Sequence, residues 1–254
     1  MEACRELLGL AARFPEDSLW LRWRYRECLN TARTRLWTPY SPQTILRLVE
    51  KGIHRLIATE DDLMEVVLES LDRFEVALVG TNNPRVASLW NYEGAGNRRR
   101  DFTPKDEEDL SGEIAAWLQT DLGVGRGVVL NREVQPRRGT RTDVLVDAIS
   151  SESGVGRLTI VIEVKGCWNA EVRTALQTQL VDSYLAPNGW THGIYLVGWY
   201  ICPKWDSASR PLSNRLNATT LEEARAEVQE MAEPHHGSDT PFTVNGYVLD
   251  CRLS

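Results

Sequence analysis

The chain has 254 residues, of which 42% are hydrophobic and 26% charged, and its net charge is −7. This is the composition of an ordinary globular protein in water, and its longest apolar runs, such as VVL and VLV, are far too short to cross a bilayer. The five cysteines are scattered and form no C-x-x-C pair. That pattern argues against a disulfide framework or structural zinc and favours a reducing environment. We therefore expect a cytoplasmic protein with no membrane partner.

The first part of the chain, residues 1–100, shows the apolar spacing of helices and no alternation typical of strands. The stretch 59–78, for example, begins with a threonine followed by acidic residues and continues with apolar residues three to four apart. The segment 80–104 is rich in Gly, Asn, Pro and Arg, which predicts a domain boundary. We expect 1–100 to be a helical connector or oligomerisation segment and 101–254 to be a separate domain.

Helix and strand patterns alternate beyond this boundary. The predicted elements are a helix at 104–121, strands at 127–135, 142–150 and 157–166, a helix at 169–185, a strand at 192–201, a helix at 221–232 and a strand at 243–253. The strand at 192–201 is apolar on both faces, as central strands are. The order α-β-β-β-α-β predicts an α/β fold with a mixed central sheet flanked by helices and preceded by an all-helical N-terminal segment.

The third of these strands contains VIEVKGCWN, in which Glu163 and Lys165 point to the same face. Asp143 begins the preceding strand and Glu113 lies at the edge of the apolar stripe of the first helix. Carboxylates on adjacent strands repel unless a cation separates them, and oxygen ligands favour Mg²⁺. An ammonium at Lys165 would orient a nucleophilic water or stabilise a phosphate. An E-x-K pair alone is more typical of a salt-bridged edge strand, so Asp143 and the element order carry the prediction.

A D…E-x-K pattern across neighbouring strands, with a glutamate on the preceding helix, resembles the PD-(D/E)XK nuclease superfamily and its restriction-endonuclease-like αβββαβ core. The resemblance covers roughly the last 150 residues, where the helix and strand patterns alternate. It implies that Asp143, Glu163 and the Val164 carbonyl hold Mg²⁺, with Mn²⁺ as a substitute. It also implies that Glu113 completes the metal shell and Lys165 positions the attacking water. A threonine stands where the family name has proline.

The helix at 169–185 contains a further candidate. On an α-helical wheel Gln179 lies within the apolar face, where a glutamine needs hydrogen-bond partners. In branches of the same family a glutamine on this helix faces the active site and a tyrosine follows four residues later, whereas Tyr184 follows here after five. The resemblance implies that Gln179 supports Lys165 or the substrate phosphate. A core glutamine bonded to backbone is the alternative, and Gln177 is the second choice.

The sequence around the E-x-K motif, EVKGCWN followed by TQLVDSYL and HGIYLVGW, resembles that of effector nuclease domains of bacterial NTPase-type anti-phage defence proteins. This resemblance implies that the chain is part of a larger NTPase-containing defence protein. Because two such domains would be needed to cut both strands of a duplex, we also expect a homo-oligomer. The basic turn before the second strand places Arg137, Arg138 and Arg141 where they would contact backbone phosphates. Contacts of that kind predict low sequence specificity.

The predicted function is therefore a Mg²⁺-dependent endonuclease that hydrolyses phosphodiester bonds of DNA, most simply double-stranded DNA. Two alternatives remain open. RNA cleavage would use the same residues and the same chemistry. A catalytically idle nuclease-like binding or assembly module would use the fold alone, although the completeness of the Asp143, Glu163 and Lys165 set argues against it.

Overall fold

The computed structural model describes residues 57–80, 85–93, 101–123, 128–132, 143–149, 157–205, 214–235 and 240–253, together with Arg24. The chain divides into two compact units, Met1–His54 and Arg55–Ser254, and all described residues except Arg24 belong to the second. The predictions for the chain before residue 57 fall outside the described residues. No helix among the described residues is long and apolar enough to span a membrane.

The second unit is built from alternating helices and strands. In chain order they are α1 (Glu60–Val79), β1 (Trp90–Glu93), β2 (Asp101–Pro104), α2 (Glu107–Leu122), β3 (Val128–Arg132), β4 (Val144–Ile149), β5 (Arg157–Gly166), a π-helix (Leu176–Leu185), β6 (His192–Trp199), α3 (Leu221–Ala232) and β7 (Thr243–Asp250). The predicted mixed α/β fold is confirmed, and β5 and α3 begin and end at the predicted residues.

Five strands form one mixed sheet in the order β3-β4-β5-β6-β7. The pairs β3–β4 and β4–β5 are antiparallel, whereas β5–β6 and β6–β7 are parallel. Strands β5 and β6 lie in the middle and are buried at every position after the first. Their nearly unbroken apolar sequences are explained by this burial on both faces.

Helices cover both faces of this sheet, and three glycines mark where they touch it. Gly198 of β6 faces Leu110 of α2, whereas Gly193 faces Leu180 of the π-helix and Gly246 of β7 faces the backbone of α3. In the register of the β6–β7 pair, Gly193 and Gly246 share one face and Gly198 lies on the other. The π-helix and α3 therefore cover one face, and α2 covers the opposite one.

Helix α1 belongs with the sheet. Phe74 stacks on Trp117 of α2 with ring centroids 5.3 Å apart, and the Trp117 indole donates to the Ser70 carbonyl at 3.0 Å. The Tyr247 hydroxyl of β7 donates to Asp72 at 3.0 Å. The sequence prediction placed a boundary within 80–104, whereas the compact unit that contains the sheet already begins at Arg55.

The stretch expected to be a linker contains the antiparallel hairpin β1–β2. The Trp90 indole, buried at the start of β1, donates to the Cys251 carbonyl at 2.8 Å. Strands of four residues each are too short for a reliable alternation pattern, so the expectation of no strand before residue 100 was wrong. This hairpin ties the region before α2 to the end of the last strand.

The helix predicted at 169–185 has an unexpected winding. Its first residues form turns, and Leu176–Leu185 is a π-helix, in which backbone bonds join residues five apart. The Ala186 N–H accordingly donates to the Val181 carbonyl. Residues spaced by five therefore lie one turn apart here, so Gln179 and Tyr184 are one turn apart as well. An α-helical wheel misassigns faces along such a segment.

The close approach of α3 to the edge strand predicts the effect of adding a methyl group to Gly246. A Cβ there would lie 2.5 Å from the Val228 carbonyl oxygen, whereas one at Gly80 would meet only ordinary contacts at 3.5 Å or more. We expect Gly246→Ala to lower the free energy of unfolding by about 1–3 kcal/mol and Gly80→Ala to change it little. Urea unfolding of both variants checks this, and equal stabilities would contradict the described packing.

Candidate functional site

The site lies where β5 extends beyond the end of its neighbour β4. The last pair between these strands is Val144 with Ile162, so the N–H groups of Val164 and Gly166, further along β5, have no strand partner on that side. Buried N–H groups require acceptors. The Asp143 carboxylate accepts from the Val164 N–H at 2.8 Å, and the Glu107 carboxylate accepts from the Gly166 N–H at 2.7 Å. Two carboxylates thus replace the missing strand.

Glu163 and Lys165 lie between these two acceptors and are almost completely buried, with 1% and 7% of their surfaces exposed. The Lys165 ammonium donates to Glu163 Oε1 at 2.5 Å. The other oxygen, Glu163 Oε2, is buried and accepts no hydrogen bond from any described residue. Continuing the β4–β5 register by one residue places Asp143 opposite Glu163. The structure therefore brings together three predicted site residues, namely Asp143, Glu163 and Lys165.

The carboxylate contributed by the first helix is Glu107. It lies in the first turn of α2, which Asp106 caps, and it also accepts from the Asn169 amide at 2.8 Å. Its second oxygen is 3.9 Å from the Lys165 ammonium. The predicted residue, Glu113, is half-buried, and it is not among the described charges that act on Glu163 or Lys165.

The difference between the two glutamates follows from helix geometry. Six residues separate Glu107 from Glu113, which turns the side chain by about 240° around an α-helix. Sequence reasoning passed over Glu107 because it stands in an acidic first turn with Glu108 and Asp109, where negative charge usually complements the helix dipole. Asn169, directly after the VIEVKGCW stretch, was missed as well, and no sequence signal would have singled it out.

Three carboxylates share one ammonium in this cluster. Burial raises the pKa of Glu163 to about 8, and the charge of Asp143 raises it as well, while Lys165 opposes both. Burial also raises the pKa of Glu107, against the Gly166 hydrogen bond and Lys165. Burial lowers the pKa of Lys165, but the charges of Glu163, Glu107 and Asp143 outweigh it and leave that pKa above its usual value. Among the described residues, the cluster thus contains three carboxyl groups and one ammonium, and its oxygen atoms suit a further cation.

Two tyrosines lie close enough to respond to these charges. Tyr184 of the π-helix is 7% exposed, and burial raises the pKa of its hydroxyl, as do the charges of Glu163 and Asp143. Tyr195 pairs with Glu163 across β5 and β6 and donates to the Val172 carbonyl at 2.6 Å. Tyr184 therefore belongs to the surroundings of the cluster, although its spacing from Gln179 departs from the expected four residues.

The remaining predicted residues are placed differently. Gln179 is half-buried and donates to the Glu171 carboxylate at 2.8 Å, not to Lys165, and Gln177 donates to Asp182 at 2.7 Å. The winding of the π-helix explains why the α-helical wheel placed Gln179 on the buried face, whereas its role at the site was implied by the family resemblance. Val164 lies between Glu163 and Lys165 on β5. The predicted phosphate-binding residues lie outside the described part of the chain: Arg137, Arg138 and Arg141.

The donor atoms of the cluster suit a small, hard cation. Among the described residues, no three or more His, Cys, Asp or Glu side chains are already arranged as a set of metal ligands. Mg²⁺, however, commonly uses one or two protein carboxylates and takes its other ligands from water and phosphate. The unpartnered Glu163 Oε2, buried opposite Asp143, is the kind of acceptor that such a cation would satisfy.

Comparisons of this chain with protein-family models, with curated proteins and with solved structures found no match. What the site does is therefore inferred from its own residues.

The two glutamates of α2 can be separated by mutation. Replacing Glu107 by alanine leaves the Gly166 N–H and the Asn169 amide without their acceptor, which we expect to destabilise the fold by about 1–3 kcal/mol. Glu113→Ala, on the same helix, should change the free energy of unfolding by about 0.5 kcal/mol or less. Chemical denaturation of both variants measures this difference. A larger loss for Glu113→Ala would contradict the assignment of Glu107 to the cluster.

Proposed function

We propose that this protein is a Mg²⁺-dependent nuclease that hydrolyses phosphodiester bonds in DNA. The observation that carries the proposal is the cluster at the end of β5, in which Asp143, Glu163 and Glu107 lie around the ammonium of Lys165, the one cation that the described residues place there. Buried charges are costly unless they are paired or bind a metal. A site with more carboxylates than cations is suited to binding a metal ion together with an anionic substrate.

The order of the elements around the cluster supports the same proposal. Helix α2 is followed by the antiparallel strands β3, β4 and β5, then by the π-helix and the parallel strand β6. This order agrees with the α-β-β-β-α-β order that the resemblance to a restriction-endonuclease-like core implies, with Asp143 directly before β4 and Glu163 and Lys165 near the end of β5. Fold order alone does not establish an activity, so the chemistry of the cluster is the stronger support.

Each side chain has a distinct proposed role. Asp143 and Glu163 hold the cation with the Val164 carbonyl, and Glu107 fixes the end of β5 while adding negative charge. When bound, Mg²⁺ supplies a Lewis acid that polarises the phosphate and lowers the pKa of a coordinated water. Lys165, buried beside Glu163, is held where its ammonium orients the attacking water or donates to a phosphate oxygen.

The biological context remains part of the proposal. The resemblance of the E-x-K region suggests an effector in bacterial anti-phage defence that acts in the cytoplasm, as a homo-oligomer or within a larger NTPase-containing protein. The phosphate contacts assigned to Arg137, Arg138 and Arg141 stay predictions, as does low sequence specificity. RNA cleavage and a catalytically idle assembly module are the competing functions.

A cleavage assay separates these functions. The purified chain is incubated with supercoiled plasmid and with a long RNA, in Mg²⁺ or in EDTA. We expect nicked and linear plasmid in Mg²⁺ alone, and a loss of about 10²-fold or more in rate for Asp143→Ala and for Lys165→Ala, because a metal ligand or a proton-transfer group is removed. Arg252→Gln, whose side chain pairs with Asp250, is the matched control and should cleave normally.

Each other outcome of this assay has a definite meaning. Cleavage of RNA but not of plasmid would favour the ribonuclease. Cleavage that continues in EDTA or in both site variants would refute the assignment of the site. If neither this chain nor the larger NTPase-containing protein that the resemblance implies cleaves either substrate, the assembly module would be favoured.

Metal binding can be tested without any activity. At a Mg²⁺ concentration about 100 times the Kd, binding adds about 2.7 kcal/mol to the stability of the folded chain, which for a chain of this size corresponds to a rise in Tm of roughly 5–10 °C. We expect Glu163→Gln and Asp143→Asn to lose this shift and Arg252→Gln to keep it. Thermal unfolding with Mg²⁺ and with EDTA measures the difference, and equal shifts in all four proteins would place the metal elsewhere.

A further inference from the structure

Most of the lysines and arginines that the structure describes already interact with other groups of the fold. Arg73 pairs with Asp121, Arg225 with Glu75 and Arg252 with Asp250. Exposed pairs of this kind add little stability, but they reduce the positive charge offered to an external anion. The described lysines and arginines that interact with another group of the protein are Arg24, Arg73, Arg85, Arg157, Lys165, Arg173, Lys204, Arg225 and Arg252.

Two cations differ from this group. The side chains of Lys105 and Arg215 form no hydrogen bond or ion pair with any residue that the structure describes. Arg215 is exposed and Lys105 half-buried. In a chain with a net charge of −7, cations that remain uncompensated are available to an anionic ligand.

Both of these residues are anchored next to the carboxylate cluster. Lys105 stands two residues before Glu107, and its N–H donates to the Leu89 carbonyl at 3.0 Å. The Arg215 N–H donates to the carbonyl of Cys167 at 2.8 Å, and Cys167 stands two residues after Lys165. The backbone of Arg215 is therefore held directly after the end of β5, and the backbone of Lys105 directly before the first turn of α2, which contributes Glu107.

We infer that Lys105 and Arg215 bind the phosphate backbone of a nucleic acid beside the carboxylate cluster, an inference that depends on the proposed nuclease function. The cluster itself repels a polyanion, so a substrate needs positive charge nearby to bring a phosphate to it. Cations that contact phosphates supply affinity without sequence information. The two residues therefore hold DNA at the site without selecting a sequence.

The salt dependence of binding tests this inference directly. The full-length chain is titrated, in EDTA so that the probe stays intact, with a fluorescein-labelled DNA duplex at several salt concentrations. We expect Lys105→Gln and Arg215→Gln each to weaken binding several-fold and to reduce the slope of log K against log salt by about 0.9, and the double variant to reduce it by about twice as much. Duplexes of different sequence should give the same losses.

Arg252→Gln and Arg73→Gln remove the same charge from paired positions and are the matched controls. Circular dichroism and Tm of each variant confirm that it is folded. The inference is overturned if the Lys105 and Arg215 variants keep the wild-type slope, if the controls lower the slope equally, or if the wild-type chain does not bind DNA.

Measurements of kcat and KM show separately whether this inference or the proposed nuclease function fails. In Mg²⁺, the Lys105→Gln and Arg215→Gln variants should raise KM and leave kcat near the wild-type value, because they remove binding that is equal in the ground and transition states. Slope changes without any cleavage by the wild-type chain would support the phosphate-binding residues and reject the nuclease. Cleavage with unchanged KM in both variants would support the nuclease and reject these residues.

Discussion

The structure of the site depends on one mismatch in strand length. Strand β5 continues past its last pair with β4, at Ile162. The N–H groups beyond that pair have no strand partner on this side and, being buried, require other acceptors. Asp143 and Glu107 provide them through carboxylates. A backbone requirement thus fixes two acidic side chains beside Glu163. The same hydrogen bonds that end the sheet pre-organise the candidate ligands, and they join β4, β5 and the first turn of α2 at one point.

This arrangement also sets the electrostatics. β5 is buried by helices on both faces, so Glu163 and Lys165 are nearly inaccessible to water, and the carboxyl groups of Asp143 and Glu107 lie beside their ion pair. Buried ion pairs often contribute nothing to stability relative to apolar residues. The Glu163–Lys165 pair is therefore poorly explained as a stabilising device, in contrast to Asp143 and Glu107, which accept hydrogen bonds from the backbone of β5. A divalent cation would offset the charge of the carboxylates.

The parts of the fold that could be predicted are those whose pattern repeats over many residues. Strand β5 has ten residues with alternating character, and α3 is preceded by Thr220, whose side chain accepts from the Glu223 N–H, so the bounds of both were predicted correctly. The hairpin β1–β2 was missed because its strands are short. The grouping of α1 with the sheet was missed because it arises from tertiary contacts.

The candidate site shows the same limits at the level of single residues. Asp143, Glu163 and Lys165 could be found because strand periodicity fixes the face of each side chain. The assignment of Glu113 instead of Glu107 came from reasoning about one helix, whereas the position of Glu107 is determined by the end of a strand far away in sequence. Gln179 was assigned with a 100° period that a π-helix does not follow.

A module that serves only for assembly would place different demands on these residues. An isosteric glutamine at position 163 would keep the shape of the strand while removing the negative charge, and it could still accept a hydrogen bond from Lys165. The acid instead leaves Oε2 buried without a hydrogen-bond donor among the described residues, an arrangement that costs free energy in the unliganded fold. Binding of a cation recovers that cost, and a purely structural role offers no comparable compensation. The orphan oxygen of Glu163 is therefore the atom that most clearly supports the proposed cation site over a purely structural role.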